Sequence, residues 1–194
     1  MQTQTPFFAT GYLRVLYRYV RSEGLSPEQL FSGTDIGEAE LMTPTFVMPF
    51  AQQMRLCENA VELATPGVGL RTGSQLQLAA HGSLGTAMQT SQDLGTALGT
   101  FAEFLDTRAS FYTTSLQIDG EVADFTIAID HLPPTLVAFF TEAILQTLGH
   151  CIAFFTGSIQ ESQAQFSIEY AAPSYAETYR EVFGPTVHFD AAST

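Results

Sequence analysis

Few side chains in this sequence have the types and spacing that chemistry needs. Its four histidines, His81, His131, His150 and His188, include no pair at metal-ligand spacing. The two cysteines are far apart, and only Cys151 has a histidine beside it. Adjacent positions on a helix point about 100° apart, so His150 and Cys151 do not share a metal. No metal site is expected. The glycine-rich piece GVGLRTG, Gly67 to Gly73, contains a G-x-G, but no strand precedes it and no Gly-Lys-Ser/Thr follows, so it is not a phosphate cradle. His81-Gly82-Ser83-Leu84-Gly85 has its glycines in the wrong order for a nucleophile elbow and reads as a turn that caps the next helix. Cys57 and Cys151 fall on apolar helix faces, the ordinary setting of a buried free thiol. With no nucleophile, base and orienting group in view, neither an enzyme nor a cofactor is expected.

The aromatic residues are more telling: 16 Phe and 7 Tyr, with no Trp. Phe139, Phe140, Phe154 and Phe155 share one long apolar helix, and Phe101 and Phe104 lie on the helix before a hairpin. Most are expected in the core. The remainder would line an apolar cavity between helices and sheet, where a few convergent polar groups make the default small-molecule site. Arg55, His81, Tyr112 and His150 could supply that polarity. The candidate ligand-binding set is therefore Arg55, His81, Phe101, Tyr112, Phe139 and His150.

The elements that must position these residues follow from periodicity. Apolar residues at helical spacing mark a first helix from about Phe8 to Arg21, stopped by Gly24. Ser26 and Pro27 sit as N-cap and first residue of a short helix ending near Phe31. A connector, Ser32 to Thr45, carries one turn of helix at Glu38 to Met42. A longer helix runs from about Pro49 to Leu63, and Gly67 to Gly73 forms a short one. Two more cover about Leu84 to Thr90 and, from an Asp93 cap, to about Thr107. The period then changes from 3.6 to 2. Tyr112–Ile118 and Glu121–Ile129 flank Asp119-Gly120, a strong hairpin signal. Pro133-Pro134 opens the long helix to Gly157. A strand from Gln165 to Tyr170, a helix from Ser174 to Phe183 and a strand from Val187 to Phe189 close the chain. This order predicts an α+β fold, with helices packed on one face of a small, mostly antiparallel sheet, in a single domain over residues 1–194.

Pro134 to Gly157 also has the length of a membrane span. Thr135, Glu142, Gln146 and Gly149, at intervals of seven, four and three, fall on one stripe, and no positive charge flanks either end. A buried helix with a thin wet edge accounts for both facts. The expected protein is soluble and cytoplasmic, with no membrane partner. Charge narrows its partners further. Seven Arg and no Lys stand against 20 acidic residues, a net −13. Such a chain repels a phosphate backbone and should not bind duplex DNA alone. Two cysteines make no disulfide framework.

Taken together, these segments resemble the N-terminal sensor domain of AraC-type transcription regulators, the arabinose-binding-like type shared with ornithine-utilisation regulators. GLSPEQLFSGTDI (Gly24–Ile36), ENAVELATPGVGLRTG (Glu58–Gly73), HGSLGTAMQTSQDLGTALGTFAEFL (His81–Leu105) and YREVFGPTVHFD (Tyr179–Asp190) carry the likeness, which covers about Val20 to Asp190. It implies a domain that senses an effector and dimerises ahead of a helix-turn-helix DNA-binding domain. That second domain is absent from this chain, so DNA would be reached only through it.

Without Trp and Lys, the expected effector is apolar or aromatic rather than a sugar or phosphate, and an anionic one would look first to Arg55. The alternative is a pure dimerisation module whose cavity is filled by its own Phe side chains. Two surfaces are candidates for the homodimer. The first is Tyr12, Leu16 and Tyr19 beside Arg14, Arg18 and Arg21, an interface-like mixture that ranks higher. The second is the long apolar helix.

Overall fold

The computed structural model describes residues 6–160 and 162–191; the two ends of the domain expected over 1–194 lie outside them. Along the chain come α1 (Thr10–Ser22), α2 (Pro27–Leu30), α3 (Glu38–Met42), α4 (Phe50–Leu63) and α5 (Val68–Ser74). A 3-10 turn, Leu78–His81, leads into α6 (Ser83–Gln89), and α7 (Leu94–Phe104) ends in a second turn, Leu105–Thr107. The hairpin β1 (Tyr112–Asp119) and β2 (Val122–Ile129) precedes α8 (Pro134–Thr156). Then follow β3 (Phe166–Ser167), α9 (Ala176–Phe183) and β4 (Val187–His188).

Local chemistry explains the boundaries. Ser26 and Gln29 form a reciprocal capping box on α2, with Ser26 Oγ accepting from the Gln29 amide at 3.3 Å and the Ser26 amide donating to Gln29 Oε1 at 2.8 Å. Asp93 caps α7 by accepting from the Thr96 amide at 2.7 Å. In the hairpin, Asp119 pairs with Val122, so the two-residue turn is Gly120-Glu121, one position later than the Asp-Gly signal suggests. Gly120 has φ 59°, the left-handed value that the first position of such a turn needs.

The α+β class holds, with one difference in the sheet. β3 and β4 do not join the hairpin; they pair with each other, in parallel, over two residues each. Parallel neighbours need a crossover, and α9 is that crossover.

α8 organises the core. Its Leu136, Phe139 and Phe140 pack in a cluster with α1 and α4, its Ile144, Leu148 and Cys151 in one with α6 and α7, and its Leu145 in one with α9 and β4. α8 is long and apolar enough to cross a membrane, yet two-thirds of its most apolar stretch is buried in the protein. The expected wet edge is mostly dry. Thr135 is exposed, but Glu142, Gln146 and Gly149 are buried. Gly69 and Gly73 on α5 let that helix approach this stripe so closely that a Cβ at either would collide with Glu142 or Gln146.

The first helix departs from expectation in its outward role. Tyr12 and Leu16 point into the core, 8% and 1% exposed, so these two cannot meet a partner, while Arg18 and Arg21 stay exposed. Arg14 is engaged too: Nε donates to the Leu41 carbonyl at 2.7 Å, and Nη2 reaches the Thr43 carbonyl at 2.8 Å, closing off the end of α3.

Candidate functional site

A small apolar cavity of about 50 Å³ lies where α1, α5, α7, β1 and α8 meet. Tyr12, Leu13 and Leu16 form its α1 wall, and Phe139, Phe140, Ile144 and Thr147 its α8 wall. Phe101, Leu105 and Tyr112 close it from the hairpin side, and Thr72, Leu76 and His81 close the remainder. The wall residues Phe8 and Phe140 pack edge-on and tilted with each other and with Phe111, at centroid distances of 4.7 to 5.8 Å.

Its polar groups form a directed chain. Thr147 Oγ1 donates to the Ala143 carbonyl at 3.2 Å and therefore accepts from His81 Nε2 at 3.3 Å. His81 Nδ1 is then bare and accepts from the Tyr12 hydroxyl at 2.7 Å. The Tyr12 oxygen in turn accepts from Arg108 Nε at 3.1 Å, with the guanidinium 5.0 Å from the Tyr12 ring centroid. One tautomer satisfies every member. Burial, aided by the nearby charge of Arg108, pushes the His81 imidazole down to about 4, so it is neutral near pH 7. Burial also raises the Tyr12 hydroxyl, keeping the proton that it donates. Tyr112, half-buried, donates to the Phe140 carbonyl at 3.0 Å. Thr72 is the exception. It is 2% exposed, and no described protein group lies within hydrogen-bonding reach of its Oγ1.

Of the six candidates, the structure brings His81, Phe101, Tyr112 and Phe139 together around this cavity. Arg55 is elsewhere: it lies on the exposed side of α4, 3.3 Å from Glu58 and against Gly33. The apolar positions of α4 face α1 and α2, and the arginine at the opposite position is left in water. His150 turns away as well. Its Nδ1 is 3.1 Å from the Leu76 carbonyl and its Nε2 3.1 Å from Gln77, in a shallow pocket that also holds Leu78 and Phe154. Thr72, Tyr12, Thr147 and Arg108 were not among the candidates. Their signal was faint: Thr72 sits one place before Gly73 on the face that meets α8, and Thr147 is a lone hydroxyl between Leu145 and Leu148.

Behind the cavity, Glu142 ties three elements. Its Oε1 accepts from the hydroxyls of Tyr175 and Tyr179 at 2.6 and 2.7 Å, and its Oε2 accepts from the Leu70 amide at 3.2 Å, at the start of α5. Burial raises this carboxyl above its usual range, against the pull of those donors. Neither cysteine is nucleophilic: burial pushes Cys151 up to about 12 and Cys57 higher still. Among the described residues, no group of three His, Cys, Asp or Glu is placed to hold a metal.

A small apolar cavity with a few buried polar groups is thus built into the core of a helical α+β domain. Residues 24–194 match the arabinose-binding domain of AraC transcription regulators, N-terminal, and the chain belongs to this family. It is 28% identical over 183 residues, 93% of its length, to the ornithine utilization regulator of Pseudomonas aeruginosa, covering 53% of that protein. The crystal structure of the transcriptional regulator CdpR from the same organism shares the fold, with a TM-score of 0.61 at 16% identity over 94% of this chain and 53% of that one. The chain thus spans about half the length of the relatives it matches.

Proposed function

We propose that this domain is the effector-sensing part of an AraC-type regulator, working in the cytoplasm. It takes a small, largely apolar molecule into the cavity and acts on DNA only through another domain. The observation that carries this reading is the cavity itself: eleven of its sixteen lining residues have no polar side-chain atom. The hydroxyl and imidazole groups of Tyr12, His81 and Thr147 are already satisfied by one another. A sugar, which needs a dense array of open hydrogen-bonding groups, finds almost none here.

The volume bears on mechanism. An engineered cavity of roughly 150 Å³ takes benzene, so a ring entering about 50 Å³ must push the walls apart. The α8 wall, Phe139 to Thr147, has the Glu142 tie to α9 on its other side. Two arrangements of α8 with different effector affinity suffice for regulation.

Thermal-shift titration of the chain tests the reading. Apolar monocyclic compounds should raise the melting temperature as RT ln(1 + [L]/Kd) requires, and arabinose and nucleotides should not. Stabilisation by arabinose with none from apolar compounds would refute it.

Homodimerisation belongs to the same proposal. With Tyr12 and Leu16 of α1 buried and most of α8 covered, it would use the exposed hairpin end, Ile118 and Val122, 56% and 68% exposed. Light scattering should give a dimer that Ile118→Glu with Val122→Glu dissociates. A wild-type monomer at high micromolar concentration would refute it.

A further inference from the structure

Three features of the cavity wall together narrow the effector's chemistry beyond "apolar". The first is Thr72, which lines the cavity and whose buried hydroxyl has no protein partner among the described residues. A buried hydroxyl normally has a partner, and leaving one unmade disfavours the folded state. The second is charge. Among the described residues no Arg, Lys, Asp or Glu lines the cavity; Arg108 is hydrogen-bonded to the Tyr12 hydroxyl, and Arg55 is exposed on α4. A carboxylate or an ammonium group brought here would be buried without a counter-ion. The third is saturation. Tyr12, His81, Thr147 and Tyr112 each already have a partner, so the wall offers a ligand one open position rather than several.

Resting on the effector-binding reading above, we infer that the effector is an uncharged molecule with one hydrogen-bonding group, of the phenol or alcohol type, and that Thr72 Oγ1 selects it. The apolar body packs against Phe101, Phe139 and Ile144, and its hydroxyl meets Thr72. The Thr72 oxygen both donates and accepts, so either sense of hydrogen bond suits it. The selectivity is asymmetric. A site built to hydrogen-bond a hydroxyl rejects the analogue lacking it, because the partner is left unpaired again.

The test uses three probes of one shape class, phenol, toluene and benzoate, against the whole chain as wild type, Thr72→Val and Thr72→Ser, by calorimetric titration and thermal shift at pH 7. Valine keeps the volume and removes the hydroxyl; serine keeps the hydroxyl and guards against a result that reflects packing alone. Phenol should bind the wild type about five- to tenfold tighter than toluene, the factor that one neutral hydrogen bond supplies. The preference should vanish in Thr72→Val and persist in Thr72→Ser, and benzoate should bind none of them. Toluene matching phenol on the wild type would overturn the inference while leaving the apolar cavity reading standing. A phenol preference that survives in Thr72→Val, or benzoate as the tightest probe, would overturn it as well. If neither phenol nor toluene binds any form, the cavity reading itself fails, and the inference with it.

Discussion

Acidification should weaken this protein through His81. In the folded chain its imidazole is held at about 4 against an ordinary 6.5, chiefly by burial. A depressed folded pKa means that the unfolded chain takes up the proton first. The contribution is therefore fully present above 6.5 and is lost as pH falls toward 4. A gap of about 2.5 units at 1.36 kcal/mol per unit gives, relative to pH 8, a loss of about 2 kcal/mol at pH 5 and about 3 kcal/mol at pH 4. Such a loss is a large share of the roughly 5–15 kcal/mol typical of a domain. Other acids and bases titrate over the same range, so the quantity to measure is a difference. Urea unfolding of wild type and His81→Gln at pH 8, 5 and 4 isolates it, because glutamine does not titrate. The wild-type advantage should shrink by those amounts on acidification. A gap that stays constant from pH 8 to pH 4 would refute the argument, for it would mean that the imidazole is solvated and the Tyr12–His81–Thr147 chain is not buried as described.

Glu142 should show the opposite sign. Its carboxyl is raised, so its contribution is present below the unfolded value near 4.5 and is lost as pH rises; Glu142→Gln should gain on wild type between pH 4.5 and 7.5 in urea unfolding, and a pH-independent gap would contradict this. Gly85→Ala should destabilise by about 2–3 kcal/mol, because its Cβ would sit on the Leu78 carbonyl oxygen. Gly99→Ala meets only ordinary contact with Leu116 at 3.8 Å and should stabilise α7 by up to about 1 kcal/mol; a melting-temperature pair reads both. Cys57 and Cys151 should be silent to a thiol reagent in the native protein and react together in denaturant, and rapid native labelling of either would refute the burial argument.

Local signals carried most of the element order. Caps such as Ser26 and Asp93, the Pro133-Pro134 start of α8 and the hairpin glycine act through neighbours in the chain, so sequence reports them. The misreadings share one cause. Which side of a helix faces inward depends on what covers it, and that is a long-range matter. The Glu142 stripe looked wet because it is polar, yet α5 and two tyrosines of the C-terminal segment cover it. Tyr12 and Leu16 looked like an interface because arginines stand beside them, yet both turn into the core. The 3-10 turn Leu78–His81, which swings His81 inward, has no periodicity to betray it. Thr72 could not be singled out from the sequence, since its distinction is the lack of a partner among the described residues, which only three-dimensional packing reveals.

The shared role of α8 limits how a lineage of such proteins can diversify. Within nine consecutive residues, Phe139, Phe140, Ala143, Ile144 and Thr147 shape the cavity, while Glu142, Leu145 and Gln146 grip α5 and the C-terminal segment. A substitution that widens or reshapes the cavity therefore also shifts the frame on which the opposite grip depends. In the proposed role, new effector preferences should arise most readily at positions such as Thr72, whose hydroxyl makes no hydrogen bond to α8, so that the pocket can be rewritten without loosening the helix that every part of the core leans on.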